Sequence, residues 1–245
     1  MKIIAIIPAR YSSTRLPGKL IKPLGDTTVI NATYQAVCNT QLFDDVYVVT
    51  DHEDIYKEIK NHDGNVVYSN GEFECGTDRI ASVLPHLPDA EIYVNVQGDE
   101  PFTTKAPLQQ IIEAFKADRQ EKIGVITLKQ KITDEAQINN PNVVKIITRA
   151  DDTAIYFSRS PIPYKRESNS QIDYYKHIGI YAFRKNALIA FASLPIGPLE
   201  HTEKLENLRF IENNITVKAL STDYINFGID TQEDLDKANA YLNAT

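Results

Sequence analysis

Ile3-Ile4-Ala5-Ile6-Ile7-Pro8-Ala9-Arg10-Tyr11-Ser12-Ser13-Thr14-Arg15-Leu16-Pro17-Gly18-Lys19 is the stretch whose reading decides the fold. Ile3 to Ile7 is an uncharged apolar run of the length expected for a strand buried on both faces. Pro8 stops the run, and a loop follows with Arg10, Arg15 and Lys19 set among small residues, Pro17 and Gly18 fixing a turn. Open α/β sheets hold polyanionic ligands beyond the carboxyl end of such a strand, where cations and backbone N–H groups face outward. The loop reads as a clamp on a triphosphate, although its spacing suits a solvated basic loop as well. It is not a Walker motif, because Lys19 is followed by Leu20 rather than by a hydroxyl residue.

Working outward, Thr27 and Thr28 precede a helical pattern over Val29 to Val37, with a hydroxyl at its cap. Val46 to Thr50 is a second strand of buried type, followed by a helix over Glu53 to Lys60 and a short strand, Asn65 to Tyr68. This alternation predicts a parallel α/β sheet. Cys75 to Arg79 opens a helix running to about Leu84, and a fourth strand, Ile92 to Val96, ends in Gln97-Gly98-Asp99-Glu100-Pro101. A helix over Leu108 to Ala117 and a strand over Gly124 to Leu128 complete the regular part. From about Ile132 the rhythm changes. Strands are expected over Asn142 to Thr148, Ala154 to Ser158 and Tyr175 to Arg184, and Ser160 to Asp173 is polar. Helices are expected over Asn186 to Ala192 and Leu199 to Asn213, then a strand over Thr216 to Leu220, a turn at Gly228 to Thr231 and a helix over Gln232 to Leu242. The chain thus reads as one domain, residues 1–245, with a nucleotide-binding α/β core of about 1–130 and 214–245. An inserted, more antiparallel part of about 131–213 interrupts it.

With 33 acidic and 26 basic side chains the net charge is −7, which argues against a general nucleic-acid or anionic-membrane surface while leaving room for a local phosphate site. No apolar run approaches a membrane span, and the N-terminus shows no signal-peptide pattern, so a cytoplasmic protein is expected. Cys38 and Cys75 make no disulfide framework, and no Cys/His group has zinc spacing.

Asp99 and Glu100 lie beyond the fourth strand, where an acid can hold Mg²⁺ together with phosphate oxygens. An aspartate that only caps the loop fits the same position. Asp230, followed by Thr231 and Glu233, looks equally like a helix N-cap. Gly76 to Arg79 offers backbone N–H groups and a cation to a ligand, or is an ordinary capped helix. His177 and Tyr181 lie four apart on a strand and share a face. Glu200, Glu203 and Glu206 open a helix, where acids suit the dipole without any function. No serine has the setting of a nucleophile elbow.

Taken together, Pro8-Ala9-Arg10, Arg15-Leu16-Pro17-Gly18-Lys19, Thr50-Asp51-His52-Glu53-Asp54, Asn95-Val96-Gln97-Gly98-Asp99-Glu100-Pro101, Tyr156-Phe157-Ser158-Arg159, His177-Ile178-Gly179-Ile180-Tyr181, Pro198-Leu199-Glu200 and Asp230-Thr231 carry a family resemblance. In order and spacing the chain resembles the 3-deoxy-manno-octulosonate (Kdo) cytidylyltransferases, from near Ile3 to near Leu242. The resemblance implies transfer of CMP from CTP to Kdo with Mg²⁺, for lipopolysaccharide synthesis. It also implies a Rossmann-like nucleotidyltransferase core, and a homodimer formed through the inserted, sugar-binding part. On this resemblance Arg10 and Lys19 hold the triphosphate, with Arg15 nearby. Backbone around Ala9 and the Gly76, Thr77 and Arg79 segment hold cytosine and ribose. Asp99 and Asp230 become the Mg²⁺ ligands, and Gln97, Arg159, His177, Tyr181, Glu200 and Glu203 line the sugar-acid site, Arg159 facing the carboxylate. Cys75 stands where the family commonly has serine, and Tyr164 where it commonly has tryptophan. Two alternatives share these features: a cytidylyltransferase for another 2-keto sugar acid, and a silent nucleotide-binding protein. The latter predicts loss of Arg10, Lys19, Asp99 or Asp230, all of which are present.

Overall fold

The computed structural model describes residues 1–71, 73, 75–167, 171–224 and 227–244. The chain divides into two compact units, residues 1–108 with 225–245 and residues 109–224. The expected insert of about 131–213 lies inside the second, and part of its polar stretch, 168–170, falls outside the described residues.

The first unit begins with β1 (Ile3–Ala9) and a small hairpin of β2 (Pro23–Leu24) and β3 (Thr27–Thr28). It continues through α1 (Val29–Asn39), β4 (Asp45–Thr50), α2 (Glu53–Asn61), β5 (Val66–Tyr68), α3 (Gly76–Val83) and β6 (Ile92–Asn95). These strands pair in parallel in the order β6-β1-β4-β5. β1 has a strand on each side, and its apolar run is at most 4% exposed. That is why it carries no polar alternation. After β1 the chain builds outward through β4 and β5, then returns to place β6 on the other flank of β1. The strand order therefore reverses at β1, and the carboxyl ends of β1, β4 and β6 border the crevice where such sheets bind ligands.

Helix α4 (Lys105–Ala117) contains the division between the units. It starts before the expected Leu108 because Pro107 sits in the first turn, where a missing N–H costs no intrahelical bond. The second unit holds β7 (Val125–Lys131), α5 (Glu135–Asn139), β8 (Lys145–Thr148), β9 (Ala154–Ser158) and β10 (Tyr175–Arg184). It ends with α6 (Lys185–Ser193), α7 (Pro198–Glu203), α8 (Asn207–Glu212) and β11 (Val217–Ser221). β7 pairs with β11 in parallel and with β10 in antiparallel, and β8 bridges β10 and β9 in antiparallel. Helix α9 (Gln232–Ala244) returns to the first unit. The class is α/β, with a parallel core sheet and antiparallel strands in the second unit, as the sequence implied.

Two expected elements differ. The strand expected from Asn142 begins at Lys145, because Asn140 turns the chain there and accepts from the Asn142 and Val143 N–H groups. The helix expected over Leu199 to Asn213 is two helices, broken at Lys204 in the left-handed region at φ 53°. The break pairs Glu200 with Arg209. In one continuous helix residues nine apart face opposite sides, about 13 Å apart along the axis. Folded back, the two side chains form a buried bidentate ion pair at 2.7 Å for each bond. Among the described residues no helix is long and apolar enough to cross a membrane.

Candidate active site

The cationic loop after β1 is held at both ends. Leu16 is buried, and the Lys19 N–H donates to the Leu16 carbonyl at 3.1 Å. Gly18 adopts φ 63°, a conformation costly for a residue with a side chain. Earlier in the loop, the Tyr11 ring stacks on His52 beyond β4, with centroids 3.7 Å apart and planes 13° from parallel. His52 in turn caps α2, its Nδ1 accepting from the Asp54 N–H at 3.2 Å.

Three segments far apart in sequence then meet at Lys19. Its ammonium donates to Asp99 Oδ2, in the turn after β6, and to Asp230 Oδ1 at 2.8 Å. Arg15 pairs with the other Asp230 oxygen at 2.9 Å. The backbone brings the two acids together: the Ile229 N–H donates to the Asp99 carbonyl at 2.9 Å. Gly98 lets that turn close on β1, since a Cβ there would stand 3.0 Å from the Pro8 carbonyl oxygen. Thr33 anchors the same turn by donating to the Gly98 carbonyl at 3.0 Å. Burial alone would push the Lys19 pKa down, but the Asp99 and Asp230 carboxylates outweigh it and hold it above the ordinary lysine value.

Asp230 does not cap α9. Thr231 does, with Asp234 closing the reciprocal box, and the Asp230 side chain is left facing the cations. Burial raises the Asp234 carboxyl, but hydrogen bonds from Thr231 and from the Asp230 N–H prevail and keep it below the usual range.

A cleft of about 520 Å³ opens over these groups, lined by Arg10, Arg15, Lys19, Asp99, Asp230, Gln97 and Gly76 among others. Arg10 is exposed, and Ala9, the last residue of β1, is buried beneath the loop. Thr77 is buried in the first turn of α3, where Cys75 caps the helix by accepting from the Asp78 N–H. Arg79 lies on the wall, its guanidinium donating to Ser69 Oγ at 2.6 Å and Asp51 Oδ2 at 2.8 Å, 5.2 Å from the Phe73 ring centroid. Asp99 and Asp230 converge on one cation, so they fit a divalent ion completed by phosphate oxygens.

In the second unit, Glu203 is a hub. It accepts from the Ser158 hydroxyl at 2.6 Å and the Arg159 N–H at 2.9 Å, while Arg159 Nε donates back to the Glu203 carbonyl at 2.7 Å. Arg159 Nη1 donates to the Pro141 carbonyl at 2.9 Å. His177 and Tyr181 meet, with centroids 5.0 Å apart, although Gly179 and Ile180 bulge from the pairing with β7. Thr127 Oγ1 lies 2.8 Å from the Ile180 carbonyl oxygen, 3.1 Å from that of Ile178 and 2.9 Å from His177 Nε2, which ties the imidazole to the bulge. Burial pushes the His177 pKa down to about 3, so the ring is neutral near pH 7. Glu200 is 6% exposed and held by Arg209, which also lies 3.9 Å from the Phe191 ring centroid.

Sequence reading assigned no role to Tyr11, His52, Asp51, Ser69, Phe73, Arg209 or Asp234. His52 and Asp51 follow a buried strand and so lie at its carboxyl end, a usable signal. The Tyr11 stack and the Arg209 pair depend on chain reversals that spacing does not reveal.

The family described as cytidylyltransferase matches residues 4–219. A 3-deoxy-manno-octulosonate cytidylyltransferase of Flavobacterium johnsoniae is 52% identical, covering 99% of this chain and 99% of that protein. The enzyme of the same name from Fusobacterium nucleatum is 41% identical over 99% of this chain and 97% of that protein. A solved structure of CMP:2-keto-3-deoxy-manno-octonic acid synthetase complexed with CTP is 32% identical. It superposes with a TM-score of 0.92 over 100% of this chain and 99% of that one. With its cationic loop and paired acids at the strand-order reversal, the chain belongs to the 3-deoxy-manno-octulosonate cytidylyltransferase family.

Proposed function

We propose that this chain transfers CMP from CTP to Kdo and releases pyrophosphate. The observation that carries the reading is the convergence of Lys19, Asp99 and Asp230 in one cleft at the carboxyl ends of β1 and β6. In the reaction the anomeric hydroxyl of the sugar acid attacks the α-phosphorus in line. The sugar oxygen–phosphorus bond forms, the bond from the α-phosphorus to the oxygen bridging the β-phosphate breaks so that pyrophosphate leaves, and the hydroxyl proton passes to solvent water. No protein nucleophile is needed, so the residues work by positioning and charge neutralisation.

Arg10, Arg15 and Lys19 bind the triphosphate as charge-assisted donors. The backbone around Ala9 and the Gly76, Thr77 and Arg79 segment hold the nucleoside, with Arg79 fixed against Asp51 as part of the wall. Asp99 and Asp230 would hold Mg²⁺, which neutralises phosphoryl charge when bound. In the first unit Gln97 lines the cleft. In the second unit Arg159, His177, Tyr181 and Glu203 are the groups for the sugar acid, and Glu200, held by Arg209, fixes the helix α7 that carries Glu203. Glu203 orients Arg159, and His177 acts as a neutral donor and acceptor. We further propose a cytoplasmic homodimer formed through the second unit, supported by Tyr164 at 86% and Ile155 at 47% exposure. Light scattering on the purified protein tests the dimer.

The reaction is tested with a substrate panel, CTP or UTP against Kdo or sialic acid, with the nucleotide product identified by mass spectrometry. CMP-Kdo from CTP and Kdo alone supports the reading. Product with sialic acid only moves the sugar substrate, and no product from any pair leaves a nucleotide-binding protein.

A further inference from the structure

The three charged groups at the centre of the cleft are arranged as a closed set. Lys19 bridges Asp99 and Asp230, and Arg15 takes the second oxygen of Asp230. Two carboxylates and two cations balance to zero. The Lys19 side chain is only 14% exposed, so its ammonium is held between the acids rather than resting on their outer edge. Meanwhile the turn holding Asp99 is fixed to the turn holding Asp230 through the Ile229 N–H. The pair is thus preorganised around one cation position, and Lys19 fills it.

We propose that Lys19 and the divalent cation compete for this position, and that the triphosphate exchanges them. The proposal rests on the reading of Asp99 and Asp230 as the metal ligands. A divalent ion brought alone meets a neutral set and a like-charged ammonium on the oxygens it needs, which opposes binding. A triphosphate changes both terms. It supplies negative charge and further oxygen ligands, and it draws the Lys19 ammonium onto phosphoryl oxygens. Lys19 reaches either position by rotating its flexible four-carbon stem, because its backbone stays tied to Leu16. The cation therefore loads with or after the nucleotide, and Lys19 has two functions: it holds the acids in register before loading and binds the phosphates afterwards.

The test uses Mn²⁺ as the probe, with free ion counted by electron paramagnetic resonance and no catalysis involved. Wild type, Lys19→Met, Lys19→Gln and Asp99→Asn are compared without nucleotide and with a non-hydrolysable CTP analogue. Without nucleotide, wild type binds Mn²⁺ weakly, and Lys19→Met and Lys19→Gln bind it roughly tenfold more tightly, since a like charge beside the ion is gone. With the analogue, wild type binds tightly and Asp99→Asn does not. Unchanged or weaker Mn²⁺ binding in both lysine variants, with Asp99→Asn still defective, overturns the exchange alone. Full Mn²⁺ binding by Asp99→Asn beside the analogue overturns the underlying metal assignment instead.

Discussion

Thr231 and Asp234 cap each other across the first turn of α9. The Thr231 N–H donates to Asp234 Oδ2 at 2.9 Å, and the Asp234 N–H donates to the Thr231 hydroxyl at 3.2 Å. Because Asp234 also takes the Asp230 N–H at 3.1 Å, it positions the backbone that carries Asp230. Replacing Asp234 with Ala is expected to cost about 1 kcal/mol of stability, the usual loss of a cap, or a fall of about 2–4 °C in Tm. Calorimetry checks this figure. The same variant should lose activity beyond what its stability explains, since Asp230 is no longer aimed at Lys19.

The stack of Tyr11 on His52 joins the cationic loop to the end of β4, so it should act on nucleotide binding and little else. Tyr11→Ala is expected to raise KM for CTP about two- to tenfold, the range implied by about 0.5–1.5 kcal/mol for a stacked pair. KM for Kdo should stay near wild type, and Tyr11→Phe, which keeps the ring, should restore CTP binding. Steady-state kinetics with each substrate varied in turn decides it.

Glu200 and Arg209 are both nearly fully buried, so removing Arg209 leaves the Glu200 carboxylate buried without the cation that neutralises it. Arg209→Met should destabilise the protein by about 3–5 kcal/mol, as broken buried pairs do. Adding Glu200→Leu should recover part of that loss. Urea titration of both variants reads the difference, and equal stability of the single and double variants would contradict the pairing.

His177 gives the second unit a pH dependence with a defined sign. Its folded pKa lies at about 3, below the free histidine value of about 6.5. Between these values the unfolded chain binds more protons than the folded one, so stability rises with pH across this window and is lost as pH falls through it. Unfolding near pH 5 should take up about one extra proton relative to His177→Gln. Urea midpoints measured from pH 4 to pH 8 would show the wild-type slope and its flattening in the variant.

Much of the first unit was legible in the sequence because its signals are local. A buried parallel strand has no alternation, and Ile3 to Ile7 announces one; hydroxyls at a helix start announce a cap, as Thr28 does. Beyond such strands the ligand loops follow from topology, so Arg10, Arg15, Lys19 and Asp99 are legible as ligand-loop residues in the sequence itself. Asp230 could not be settled that way. Its neighbours Thr231 and Glu233 suggested that it capped the helix, and only the Thr231–Asp234 box shows how the side chain is released. The second unit was less legible for the same physical reason. A left-handed residue at Lys204 turns one helical pattern into two helices, and no glycine marks the place. Glu203 resembled a first-turn acid, yet its carboxylate holds Ser158 and Arg159, residues more than forty positions away.

The most direct test of the account is pyrophosphate release from CTP and Kdo in the presence of Mg²⁺, measured for wild type, Asp99→Asn and Asp230→Asn at matched folded fractions. Wild type should release pyrophosphate only with both substrates, and each variant should fall by at least about a hundredfold, the scale of losing a principal electrostatic contact at a reacting phosphate. Near wild-type release by either variant would contradict the placement of the chemistry at Lys19, Asp99 and Asp230.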